Sequence, residues 1–209
     1  MSHPVAEGGA LVLRDLLTEV RACTLCRDLP LGPRPVLRAE STAQILVIGQ
    51  APGTRVHASG IPWDDPSGDR LRQWLGVSKA QFYDAGFFAI VPMGFCYPGR
   101  GKSGDLPPRA ECAPTWHEAI LKRLPQISLT LLIGQYAQRY YLEDTQHRTL
   151  TERVRHWRAC LPGTLPLVHP SPRNRYWLAQ NPWFEAELVP YLKQEVAVRL
   201  NARERMFAD

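Results

Sequence analysis

Two widely separated segments carry the side chains with most chemistry to offer. Gly49-Gln50-Ala51-Pro52-Gly53 follows the apolar run Ile45-Leu46-Val47-Ile48, and His169-Pro170-Ser171-Pro172-Arg173-Asn174 follows Leu165-Pro166-Leu167-Val168. Loops at the strand ends of an α/β sheet can converge on one ligand, so Gln50 and His169 are expected to meet at neighbouring strand ends. His57 can act as a base when neutral, because imidazole titrates near neutral pH. Asp64 and Asp65 are the nearest acids along the chain, and a turn and helix-start role before Ser67 suits them equally.

Cysteine usage points to a second kind of chemistry. There are five cysteines, an odd number, and the spacing Cys23-x-x-Cys26 suits a metal or cluster clip better than a disulfide framework. Cys96 and Cys112 come next, while Cys160 is expected to be buried filler. Four such sulfurs would satisfy zinc, and intracellular cysteines also occur simply as small buried hydrophobes. The segment Gly99-Arg100-Gly101-Lys102-Ser103-Gly104 looks at first like a phosphate loop. Walker spacing, however, demands a glycine where this chain has Cys96, which excludes an NTPase. Arg100 and Lys102 suit the approach of a DNA backbone, or simply a solvated loop.

The elements that must position these residues follow from periodicity. Leu13, Leu16, Leu17 and Val20 recur at helical spacing and deliver the chain to Cys23. Ser67-Gly68-Asp69 opens a helix carrying Leu71, Trp74 and Leu75, and Ser78 with Gln81 forms a capping box for a short second one. Phe87-Phe88-Ala89-Ile90-Val91 and Leu129-Thr130-Leu131-Leu132-Ile133 are further buried strands, separated by a helix through Trp116, Ile120 and Leu124. A helix bearing Tyr136, Tyr140 and Tyr141 follows Gly134-Gln135. This alternation predicts a parallel sheet. Residues 97–108, rich in glycine and proline, read as a loop with little intrinsic order. A charged helix is expected near 151–158, and Pro190 should kink or split the last helix. Residues 202–209 are a frayed or helical tail.

Composition bounds the whole. With 209 residues and 44% hydrophobic content, one core and one domain over 1–209 are expected. A net charge of +5 favours polyanionic partners only weakly. No apolar stretch is long enough to span a bilayer, and the Met1-Ser2-His3-Pro4 start lacks a secretory pattern, so a cytoplasmic protein is expected.

From Leu16 to Leu192 the chain resembles the uracil-DNA glycosylase superfamily, most closely its iron–sulfur families 4 and 5. The first motif is similar to that family's Gly-Glu-Ala-Pro-Gly. Gly60-Ile61-Pro62-Trp63-Asp64-Asp65-Pro66-Ser67-Gly68 is similar to its Gly-x-Pro-Phe-x-Gly-x-x-Gly, and His169-Pro170-Ser171 to its His-Pro-Ser. The resemblance implies a three-layer α/β/α sandwich around a mostly parallel sheet of about four strands. It also implies a monomeric DNA glycosylase in base-excision repair and a [4Fe–4S] cluster on Cys23, Cys26, Cys96 and Cys112. Four thiolates suit such a cubane chemically.

Residue by residue, the resemblance makes His169 the donor to charge developing on the departing base. Trp63 becomes the flat wall for a flipped base, and Ser171, Arg173, Asn174 and Arg175 contact DNA. Arg173, Asn174 or Tyr176 would wedge into the gap. Two departures matter. Gln50, Val56 and His57 stand where family 4 places carboxylates, so Gln50, His57, Asp64 or Asp65 must assist water. Pro92 replaces the asparagine that reads uracil, which leaves Gln50 or Gln135 for edge contacts and opens the choice of base to hypoxanthine or a damaged pyrimidine. A glycosylase-like module that binds flipped or abasic nucleotides without efficient hydrolysis is the alternative expectation. A nucleobase or nucleotide hydrolase rests on fold analogy alone.

Overall fold

The computed structural model describes residues 5–102, 104–142 and 146–208. The Met1-Ser2-His3-Pro4 start, Ser103 of the glycine-rich segment and Asp209 of the tail lie outside them. In chain order the elements are α1 (Val5–Arg21), β1 (Ile45–Ile48), α2 (Thr54–Ser59), α3 (Pro66–Leu75), α4 (Lys79–Phe82), β2 (Phe88–Ile90), β3 (Arg100–Gly101) and β4 (Gly104–Asp105). There follow α5 (Cys112–Leu121), β5 (Leu129–Ile133), α6 (Gln135–Tyr141), α7 (Leu150–Arg155), β6 (Thr164–Leu167), α8 (Arg175–Gln180) and α9 (Val189–Ala208).

The main sheet has the order β2-β1-β5-β6, and every pairing in it is parallel. Alternation along β1 sorts the core into two layers. Ile45 and Val47 point to the side covered by α3, α4, α7 and α9, where Leu71, Trp74, Phe82, Val154 and Leu192 pack. Leu46 and Ile48 point to the side covered by α1, α5 and α6, through Leu13, Leu17, Ile120 and Ala137. Helices on both faces of a parallel sheet make the expected three-layer α/β/α sandwich. Among the described residues no helix is long and apolar enough to cross a membrane.

Local chemistry sets the boundaries. Asp65 caps α3 by accepting from the Gly68 N–H at 2.8 Å, and the Ser78–Gln81 capping box closes both of its hydrogen bonds at the start of α4. Pro190 lies near the start of α9, directly after a π-helical turn over Phe184–Leu188, so the irregularity sits just ahead of the proline. Three expectations need correcting. β1 and β6 are not neighbours, because β5 lies between them. The charged helix ends at Arg155, with a 3₁₀ turn over Trp157–Cys160. Within 97–108, Arg100–Gly101 and Gly104–Asp105 pair as the antiparallel hairpin strands β3 and β4, and the segment is pinned where Gln50 Nε2 donates to the Leu106 carbonyl at 3.2 Å.

Candidate active site

The loops after β1 and β6 face one cavity of about 50 Å³, bordered by Gly49, Ala51, Pro52, Trp63, Asp65 and His169, with Ile90 and Pro92 as apolar walls. His169 enters it directly off β6. The Ser171 N–H donates to its imidazole Nδ1 at 3.2 Å, and Asn174 Nδ2 fixes the backbone at the same residue by donating to the His169 carbonyl at 2.7 Å. Since Nδ1 accepts, the proton of the neutral ring resides on Nε2. Burial drives the His169 pKa down to about 4, against a smaller upward pull from Asp65. At neutral pH the cavity therefore holds an uncharged imidazole with one N–H free to donate.

Trp63 borders the same cavity, beside the strand ends. Its indole and the His169 ring have centroids 5.4 Å apart and planes inclined by 30°. The indole approaches the β1 exit so closely that a Cβ on Gly49 would come within 2.7 Å of it, so glycine is required there. Asp65, one of the two adjacent acids, borders the cavity; one of its oxygens is engaged by the helix cap and the other remains available. Asp64 instead pairs with Lys79 Nζ at 3.7 Å.

The remaining candidates stand farther out. Gln50 turns its amide to the hairpin, and Gln135 is exposed as the first residue of α6. It follows Gly134, whose left-handed φ of 84° turns the chain beside His169. His57 packs near Tyr97, with ring centroids 6.2 Å apart, and burial followed by the Arg34 charge lowers its pKa. Ser171 Oγ accepts from the Arg173 N–H at 3.3 Å, which tightens the turn. The Arg173 guanidinium covers Gly104 of the hairpin. Arg175 stacks over Tyr176, its guanidinium carbon 4.8 Å from the ring centre, and Tyr176 is 69% exposed. Arg100, Lys102 and Arg175 are exposed.

Cys23, Cys26, Cys96 and Cys112 border a second hollow, with Phe95, Arg109 and Trp116. Burial pushes the Cys112 thiol up to about 12 and Cys96 up to about 11. The Phe95 N–H donates to Cys112 Sγ at 3.4 Å, and Arg109 at the rim is paired with Asp28 and Glu111. Among the described residues no three His, Cys, Asp or Glu side chains converge closely enough to hold a single metal ion. The four thiols share one hollow and are the kind of donor that a metal or cluster takes. Cys160 lies outside this set and is partly buried.

Some supporting residues carry no motif. Gln138 is fully buried and donates to the Leu132 and Leu167 carbonyls at 3.1 and 2.9 Å, tying β5 to β6 below His169. His117, also buried, has Nε2 3.0 Å from the Pro92 carbonyl and Nδ1 2.6 Å from the Tyr141 hydroxyl, which fixes the Pro92 wall. Only a polar side chain on an otherwise apolar helix face could have flagged either one.

A cavity presenting a neutral histidine, a carboxylate and an indole at the strand ends of a parallel sheet can polarise a leaving group and orient water. Comparison with protein-family models arrives independently at a matching answer: the uracil DNA glycosylase superfamily (UDG) model matches residues 37–193.

Proposed function

The chain belongs to the uracil-DNA glycosylase superfamily, and we propose that it hydrolyses the N-glycosidic bond of a deaminated or damaged base in DNA, initiating base-excision repair as a monomer in the cytoplasm. The observation that carries this reading is the neutral His169 with its Nε2–H free at the cavity. As the bond from C1′ to the base breaks, its electron pair leaves with the base and the sugar becomes cationic. A preplaced N–H at the base oxygen then strengthens in the transition state, by about 3 kcal/mol for one such donor. Asp65 accepts a proton from the water that attacks C1′, or stabilises the sugar cation through its charge. Ser171, Arg173 and Arg175 grip phosphates. Tyr176, the most exposed aromatic of this loop, fills the gap left by the extruded base.

A [4Fe–4S] cluster on the four cysteines is part of the same proposal: they share one hollow, and four thiolates are the donor set that such a cubane takes. Such a cluster would cross-link the Cys23–Cys26 loop, the segment after β2 and the start of α5.

The decisive experiment is cleavage of a duplex carrying one uracil, scored as alkali-labile strand scission. His169→Ala should cut at least about a hundredfold more slowly than wild type; equal rates would remove His169 from catalysis. A second reading has its own observation: the indole of Trp63 already occupies the space between Gly49 and His169. A module for abasic or flipped nucleotides fits that occupancy. Tight binding of an abasic oligonucleotide, with no new abasic product from uracil, hypoxanthine or xanthine substrates, would favour it.

A further inference from the structure

Trp63 is the described non-glycine residue with a left-handed backbone, at φ 58°. A bulky aromatic is an outlier there, and such conformations persist only where the surroundings over-determine them. Here they do. The Tyr83 hydroxyl donates to the Pro62 carbonyl at 2.9 Å, and Arg72 Nη1 donates to the Trp63 carbonyl at 3.3 Å while reaching the Tyr83 hydroxyl at 3.5 Å. Arg72 is itself 7% exposed and is fixed by Asp69, 2.6 Å from Nη2. On the other side Gly68 crowds the same carbonyl: a Cβ there would lie 1.8 Å from the Trp63 oxygen.

The fixed backbone places the indole over Gly49 and beside His169, and the cavity left over is about 50 Å³. That is room for about three to five water molecules, a space closer to a single-ring than to a two-ring base. The cavity is also lined by Ile90 and Val56, which are buried, and by Pro62 and Pro92, which are stiffened by their rings. Pro92 is further held by His117. The wall that can yield is Trp63, and how far it yields is set by the two residues holding its carbonyl and that of Pro62.

We propose that Arg72 and Tyr83 are positioning residues that fix Trp63 as a size gate, restricting the site to single-ring bases and turning away two-ring bases. The gate deepens the glycosylase reading and rests on it for substrate. Single-turnover excision of uracil and of hypoxanthine, each in the same duplex, is compared for wild type, Tyr83→Phe, Arg72→Met and Arg72→Lys. Wild type is expected to favour uracil by at least about tenfold. Tyr83→Phe and Arg72→Met are expected to shrink that ratio at least about threefold, with Arg72→Lys keeping more of it than Arg72→Met. A purely structural loss would lower both rates together and leave the ratio alone. An unchanged ratio in both Tyr83→Phe and Arg72→Met, or a wild type that prefers hypoxanthine, overturns the gate.

If wild type excises neither base, the glycosylase reading fails by itself. The same ratio is then taken from affinities of the two duplexes by fluorescence anisotropy, with the same criterion. A further readout needs no DNA. The Trp63 indole N–H resonance, identified by its loss in Trp63→Phe, should shift or broaden in Tyr83→Phe while the other tryptophan indoles stay in place. A Trp63 resonance that does not move would count against the clamp.

Discussion

A single imidazole ties the pH dependence of stability to that of activity. Burial holds the His169 pKa near 4 in the fold, against an ordinary value of about 6.5 in the unfolded chain. Above about pH 6.5 both states are neutral at this site and its contribution to stability is complete. Between about 6.5 and 4 only the unfolded chain takes up the proton, so stability falls as pH falls, by up to about 3 kcal/mol, and the loss levels off below about 4. Denaturant midpoints at pH 7 and pH 4.5 should therefore differ more for wild type than for His169→Gln. The acid limb of the excision rate should lie nearer pH 4 than 6.5. His169 and Trp63 were legible in sequence because their neighbours in the chain define them. The partner of Gln50 was not, since the Leu106 carbonyl comes from a distant hairpin that no local pattern announces. Nor could spacing separate Asp64 from Asp65. Only the packing of α3 and α4 decides that one meets Lys79 and the other the cavity.

Alternating apolar strands and helical stripes made the elements of the sandwich readable, and its layers follow from the way β1 divides its side chains between two faces. The order of strands was harder, because the contacts that set it are long-range. Gln138, which bridges β5 to β6, looks in sequence like any polar helix residue. The β3–β4 hairpin was missed because two-residue strands rich in glycine carry no period; its order comes from packing against the Gln50 loop and Arg173. One prediction belongs at this level. In Gly68→Ala the added methyl must displace the Trp63 carbonyl and with it the junction into α3. The cost is expected to be about 1–3 kcal/mol, measured as a lower denaturant midpoint, with excision falling more than stability alone explains.

Charge and cysteines act on the scale of the whole molecule. A net charge of +5 is small, so attraction to DNA has to come from its local arrangement. Arg100, Lys102, Arg173 and Arg175 stand on the hairpin and the His169 loop, which meet where Arg173 covers Gly104. Removing Lys102 or Arg175 should weaken binding evenly across sequences. Each change should also flatten the plot of log affinity against log salt by about one unit. Protein prepared without oxygen should show broad visible absorption and about four irons per chain, the stoichiometry of a cubane cluster. Cys96→Ser and Cys112→Ser should each lose both signals. The cysteine spacing alone left metal and no metal open, and only the shared hollow brings the four together.

The order β2-β1-β5-β6 has one more consequence. With β5 between the two cavity-lining loops, their roots are two interstrand spacings apart, about 9.5 Å. The sheet thus works as a ruler whose graduation is the backbone hydrogen bond. An extra strand inserted beside β5 would push the halves of the site one full graduation apart, beyond the reach of any side-chain repacking. Lengthening the loops themselves would leave the gauge unchanged.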